Sequence, residues 1–191
     1  MTTTTTLPAA GASTTWQLDP AHTHVEFSVK HLMMARVKGR FAGVTGTVRL
    51  GSDPAASTVD VVIDAASIDT REAKRDAHLR SADFLDAERF PAITFRGRDV
   101  RPAGPDRFTI VGDLTIRDVT REVTLEVTDE GRVTDPWGGE RAGFSATTEI
   151  DRRDFGLTWN QALEAGGVLV GNEVRISLEV ELVKQEAAQA A

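Results

Sequence analysis

Apolar and polar residues alternate with period two over most of this chain. Val25, Phe27 and Val29 alternate with His24, Glu26, Ser28 and Lys30, and Val59, Val61 and Ile63 alternate with Asp60 and Asp64. Phe108, Ile110, Leu114 and Ile116 lie in phase, with Gly112 between them. Val123, Leu125 and Val127 alternate with Thr124, Glu126 and Thr128; Phe144, Ala146, Thr148 and Ile150 keep one phase. The cleanest run is Val174, Ile176, Leu178, Val180 and Leu182, separated by Arg175, Ser177, Glu179 and Glu181. Successive side chains of a strand point to opposite faces, so each segment has one apolar and one polar face. That is the signature of antiparallel sheet wetted on one side.

Turn chemistry separates these segments. Gly51-Ser52-Asp53-Pro54, Pro102-Ala103-Gly104-Pro105 and Asp129-Glu130-Gly131 each follow a strand, and Asp135-Pro136-Trp137-Gly138-Gly139 makes a longer loop. One stretch breaks the alternation. Residues 71–81 are helix formers; Asp69 is the expected cap, with Glu72 three positions on, and Ala73 and Ala77 share a face. A second short turn starting at Ser81 would bring Phe84 and Leu85 inward before Pro91 stops it. The expected fold is therefore all-β in the main: an extended antiparallel barrel of about eight strands with one short α-helical insert around residues 71–81. A barrel of about eight strands, as in lipocalins, is wide enough to hold one small ligand.

Length and composition narrow the function. At 191 residues the chain is one domain with tails, read as a disordered segment over 1–14, a barrel over 15–184 and a frayed tail over 185–191. Cysteine is absent, which removes disulfides and thiolate metal sites. The net charge of -7 argues against nucleic acid and anionic lipid surfaces, and no run of Lys or Arg reverses it. No window approaches the roughly 20 apolar residues of a membrane helix, and the Thr-rich N-terminus has no secretory signal. The expectation is a soluble cytoplasmic protein with no nucleic-acid partner and no stable membrane insertion.

The chemistry-bearing residues form no strong constellation. His22 and His24 share a strand face, a weak metal spacing. His31 lies in phase with Val25, Phe27 and Val29, which turns it inward near a strand end, as a hydrogen-bonded core histidine or as a contact to a head group. Asp76, His78 and Arg80 read as a solvated helix with local ion pairs. Trp16 and Trp137 read as plugs of the barrel ends. Glycines 166 and 167 with Val168 to Gly171 read as a mobile loop near the opening. No Gly-x-Ser-x-Gly, dinucleotide or phosphate-loop motif is present. The run Asp151 to Asn160 admits two readings: a strand end held by Arg–Asp pairs, or a tunnel mouth lined by Leu157 and Trp159, with Asn160 or Arg153 meeting a head group.

Several separated motifs carry a resemblance. Residues 19–32 (DPAHTHVEFSVKHL), 37–41 (VKGRF), 67–71 (SIDTR), 76–86 (DAHLRSADFLD), Phe90-Pro91, 143–146 (GFSA) and 150–157 (IDRRDFGL) resemble the YceI-like family, in order, from about Trp16 to Lys184. The resemblance implies a lipocalin-like barrel with a helix on its side, a tunnel for a polyisoprenoid or quinone-like chain, and a homodimer. It makes Phe155 and Gly156 mainly structural. Many relatives carry an export signal. The turn Arg117-Asp118-Val119-Thr120 departs from the family, which often has Gly there; Asp tolerates the left-handed conformation.

The reading is a carrier or store for a hydrophobic isoprenoid- or quinone-like lipid, without catalysis and without a metal or other cofactor. The residues expected to meet the ligand are Val25, Phe27, Val29, His31, Phe41, Ile63, Phe95, Ile110, Leu114, Phe144, Leu157, Trp159 and Ile176. Two alternatives remain: an enzyme using the same cavity, recognisable by a buried His–carboxylate pair at its wall, and a module with a packed core. Small inward residues, Gly112 and Ala146, favour a cavity.

Overall fold

The structure is a computed structural model and describes residues 13–164 and 166–186. Of the tails expected over 1–14 and 185–191, residues 1–12 and 187–191 lie outside the described residues. Thr14 already belongs to the first strand, opposite Leu50, and the Gln185 N–H donates to the Thr15 carbonyl, so both boundaries of the barrel reach slightly beyond 15–184.

Eleven strands build eight staves of a closed antiparallel barrel. β1 (Thr14–Leu18) and β2 (His24–His31) lie end to end. β3 (Ala35–Phe41) and β4 (Val44–Leu50) return along them, β3 on β2 and β4 on β1. β5 (Thr58–Asp64) and the short β6 (Ile68–Asp69) form the third stave. β7 (Ala92–Pro102), β8 (Arg107–Ile116), β9 (Val119–Thr134), β10 (Glu140–Asp151) and β11 (Val170–Lys184) follow as a meander. β11 closes the ring on both β1 and β2. A closed ring leaves few free sheet edges, and only neighbouring staves in sequence need to meet. β11 spans 15 residues, roughly 50 Å at the usual rise, so the barrel is long as well as closed. Bulges at Gly97/Asp99, Gly143/Phe144 and Val170/Val174 bend the wall.

Beyond β3, β6 has no strand partner. Helix α1 (Ala73–Arg80) and the 81–91 segment cover this edge. The Arg80 guanidinium donates to the Ala66 and Ile68 carbonyls, and the Ala65 N–H donates to Pro91. The helix is capped by Glu72, whose side chain accepts from the N–H groups of Lys74 and Arg75; Asp69 instead accepts from Arg71 N–H. Ala73 and Ala77 are exposed, whereas Asp76 is buried and accepts from the Thr70 N–H at 2.9 Å and hydroxyl at 2.5 Å. The 76–80 stretch is thus a seam sealing the barrel wall, not a solvated helix face. His78 pairs with Asp83 and stands edge-on to Phe84 and Trp159. Phe84 and Leu85 turn inward as the sequence suggests.

Three further expectations change. Trp137 is 87% exposed, so it plugs nothing; Trp16 is buried in the β1 wall beneath Arg132. In the β8–β9 turn the left-handed residue is Arg117, not Asp118. Gly112 leaves no void of its own: a Cβ there would sit 2.6 Å from the Phe95 ring, which fills the recess and is held against the wall.

Candidate functional site: the barrel interior

The alternating pattern aims one apolar side chain from nearly every second strand position at the barrel axis. These side chains do not fill the space between them. Phe27, Val59, Val61, Ile110, Leu125, Phe144, Val174, Ile176 and Leu178 all point inward, yet each is only partly buried. What they face is an interior cavity of about 360 Å³, within the range of sites that hold a small ligand. Its lining is apolar on almost every side and includes residues from all eight staves together with Leu79, Phe84 and Leu85 of the covering segment. Polar members are few. Thr23 is 6% exposed, and its hydroxyl has no hydrogen-bond partner.

Arg152, also on the lining, is 4% exposed and carries the most demanding polar arrangement. It begins the one-turn helix Arg152–Phe155, capped by Asp151 at its start and left-handed Gly156 at its end. Its Nε–H donates to the Gly171 carbonyl at 2.9 Å. One terminal nitrogen donates to Leu157 at 2.5 Å and Trp159 at 2.9 Å, the other to Val170 at 3.4 Å and the Asn172 side chain at 3.3 Å. All five N–H donors of the guanidinium are therefore used on neutral acceptors. Burial pushes its pKa down, with the Asp151 charge acting the other way. Phe155, which ends the same turn, is 2% exposed.

This is the setting in which comparison with known proteins decides the family. The YceI-like domain matches residues 16–182. The chain belongs to the YceI-like family. A Protein YceI from Salmonella newport is 39% identical over 166 residues, covering 86% of this chain and 83% of the relative. Among solved structures, Burkholderia cenocepacia BcnA superposes with a TM-score of 0.74 at 24% identity, covering 86% of this chain and 98% of that one. A polyisoprenoid-binding domain from Saccharophagus degradans superposes with a TM-score of 0.65 at 14% identity, covering 89% and 98%. Those two likenesses concern the fold.

Eleven of the thirteen residues singled out from the sequence line the interior of this YceI-like barrel: Val25, Phe27, Val29, Phe41, Ile63, Phe95, Ile110, Leu114, Phe144, Leu157 and Ile176. His31 and Trp159 do not. His31 ends β2 opposite Ala35 and Val170 and is not part of the lining, although Val170 across from it is. Trp159 packs outside the lumen against His78 and Phe84, at 4.6 and 5.3 Å between ring centroids. Neither Asn160 nor Arg153 is free for a head group. Asn160 bonds both the N–H and the carbonyl of Val170, and Arg153 pairs with Asp151. The set of expected ligand contacts omitted Leu125, Val174 and Leu178, which share the inward phase, Phe84 and Leu85, which the sequence turned inward without assigning them to the ligand, and Leu79 and Arg152, for which strand phase holds no signal.

The histidine cluster resolves differently from its spacing. His22 meets not His24 but Asp19, at 3.0 Å, and Glu181, at 3.8 Å. Arg141 sits among the same acids, bonding Asp19, Asp135 and Glu181. The hydrogen bonds from His22 and then Arg141 hold the Asp19 carboxyl down at about 2, and Asp19 in turn raises the pKa of His22. The carboxylates are thus engaged by Arg141 in an ion-pair network tying the β1–β2 bend to β10 and β11. No helix among the described residues is long and apolar enough to cross a membrane.

Proposed function

We propose that this chain binds a hydrophobic isoprenoid- or quinone-like lipid inside the barrel, as a store or carrier that leaves the ligand chemically unchanged. The observation that carries the reading is the incompletely filled apolar lumen. Inward valines, leucines and phenylalanines keep accessible surface that a packed core would remove, and burying a hydrocarbon chain against them yields about 0.8 kcal/mol per CH₂ before entropic costs. The polyisoprenoid-binding domain of the same fold supports the ligand class. The unpartnered Thr23 hydroxyl favours a ligand with one oxygen function over a bare hydrocarbon, because a buried hydroxyl gains by finding a partner. Against the enzyme reading, the His–carboxylate contacts among the described residues are His22 with Asp19 and Glu181 and His78 with Asp83; none of these residues lines the lumen.

The test is to purify the protein without detergent and analyse an organic extract by mass spectrometry beside native mass spectrometry of the intact chain. One co-purifying isoprenoid or quinone near equal stoichiometry is expected. An apo protein that also fails to take up added polyprenol or isoprenoid quinone would overturn the reading. Thr23→Val should weaken an oxygenated ligand by about fivefold, one neutral hydrogen bond, and leave a hydrocarbon such as squalene unaffected.

A further inference from the structure

The β2–β3 hairpin ends in Leu32, Met33 and Met34, and this tip breaks two rules at once. Leu32 and Met33 adopt left-handed backbone angles, with φ of 51° and 59°. Asn, Asp or Gly ordinarily take such positions, since the conformation costs a bulky residue roughly 1–2 kcal/mol. The tip is also apolar and outside: Met33 is 53% and Met34 86% exposed. A tip that keeps bulky apolar residues where polar turn formers would relieve strain and improve solubility is explained by something that receives those side chains.

The flanks say what. Lys30 faces Arg36 across the hairpin and Ser28 faces Lys38, all on the outward side of the two strands. Lys30, Arg36 and Lys38 are exposed and, among the described residues, form no ion pair with an acid; Arg40, farther down, pairs with Asp69. Nearby acids are fewer than the cations at the tip itself: Glu173 on neighbouring β11 shares Arg175 with Glu149, Glu164 belongs to the adjacent 160–169 loop, and Glu26 lies farther down the outward face of β2, away from the tip. A chain of net charge -7 thus collects three uncommitted cations behind an apolar tip. Charges beyond about 10 Å are screened at physiological salt, so the tip presents its own local sign, not the net charge of the chain. The tip also adjoins the lumen. Leu32 N–H donates to Leu169 at 2.9 Å, and Val29 and Val170, just behind, line the cavity.

We propose that the Leu32–Met34 hairpin tip docks this protein on an anionic phospholipid surface, the methionines entering the acyl boundary and Lys30, Arg36 and Lys38 meeting lipid phosphates. Docking of this kind is peripheral and reversible, driven by a small apolar insertion plus electrostatic attraction. It brings the Val29–Val170 end of the lumen to the membrane, where a lipid ligand would be exchanged. That purpose rests on the proposed lipid binding; the docking does not.

The experiment is vesicle co-sedimentation of the full chain, with vesicles of phosphatidylcholine alone or with about 30% phosphatidylglycerol. Binding is expected to the anionic vesicles, to fall as salt rises from about 0.05 to about 0.5 M, and to be weak on phosphatidylcholine. Replacing Lys30, Arg36 and Lys38 with Gln should reduce partitioning by about fivefold per cation, on the order of a hundredfold together. The double variant Met33→Asn, Met34→Ser should bind at least tenfold less, yet melt no lower than the parent, because Asn suits the left-handed position. Binding equally strong in both variants, or none by the parent chain, overturns the proposal. So does a dimer in solution that the methionine variant dissociates while vesicle binding is absent, which would assign the tip to a second copy. Ligand retained on purification reports on the lumen independently, so either proposal can fail alone.

Discussion

Replacing Arg152 with lysine keeps the charge and most of the length and should nonetheless destabilise the barrel by about 3 kcal/mol. The guanidinium reaches five acceptors spread over residues 157–172, at 2.5, 2.9, 2.9, 3.3 and 3.4 Å. An ammonium has three donors radiating from one atom and cannot span the Gly171 carbonyl on one side and the Leu157 and Trp159 carbonyls on the other. At least two bonds are lost, each about 1.5–3 kcal/mol for a charged donor, with the longer pair at the low end. Arg152→Met removes the cost of burying a charge but leaves several carbonyls unpaired in an interior position, so it should cost as much or more. Urea unfolding followed by circular dichroism gives both numbers; with a slope of about 2 kcal/mol per molar, the midpoint should fall by about 1.5 M. Hydrogen exchange at the amides of Leu169 to Asn172 should accelerate even where the rest of the barrel stays protected. If both variants unfold within 1 kcal/mol of the parent, Arg152 does not clamp this segment and the argument fails.

Gly112→Ala should cost about 1–3 kcal/mol, because its Cβ would lie 2.5 Å from the Arg96 carbonyl oxygen and 2.8 Å from Gly97 Cα, which are backbone atoms and cannot swing aside; a melting temperature unchanged within error would contradict this. Asp19 gives a pH signature. Its folded pKa of about 2 lies below the ordinary 3.8, so its contribution is fully present above pH 3.8 and is lost as pH falls towards 2. Asp19→Asn should therefore lower stability at neutral pH and flatten its decline between pH 4 and 2, whereas parallel curves for the two proteins would exclude the His22–Asp19–Arg141 network as the cause.

The barrel was readable because period two is a geometric consequence of the strand, and a wall with water on one side repeats it eight times. The same phase located Val25, Phe27, Ile110, Phe144 and Ile176 on the lumen without any three-dimensional information. The failures fall where phase stops applying. His31 obeys the inward phase at the end of β2 but is not part of the lining, so direction alone could not say where along the strand the lined wall stops. Trp159 and Arg152 lie in irregular backbone, where orientation comes from Gly156, Asn160 and the carbonyls they collect. The basic collar of Lys30, Arg36 and Lys38 was invisible to a search for runs of charge, because a hairpin assembles it from alternate positions on two strands. Asp76 looked solvated for a similar reason: its partner, Thr70, precedes the helix and is buried by the seam that the helix completes.

Why the lumen stays open follows from where the aromatic mass goes. The Phe27 ring lies over Gly39, its cross-strand partner, and the Phe95 ring over Gly112 beside Gly97; a Cβ at Gly39 or Gly112 would come within 2.4 or 2.6 Å of those rings. The glycines thus act as recesses that hold two large side chains flat against the wall, where the same rings extended across the axis would bridge it. The remaining inward residues are mostly Val, Ile and Leu, too short to meet across a ring of eight strands. Substituting the glycines would therefore not merely strain the wall. It would push Phe27 and Phe95 towards the axis and shrink the cavity, so stability and ligand capacity should fall together at Gly39 and Gly112. At the exposed Met33–Met34 tip they should separate.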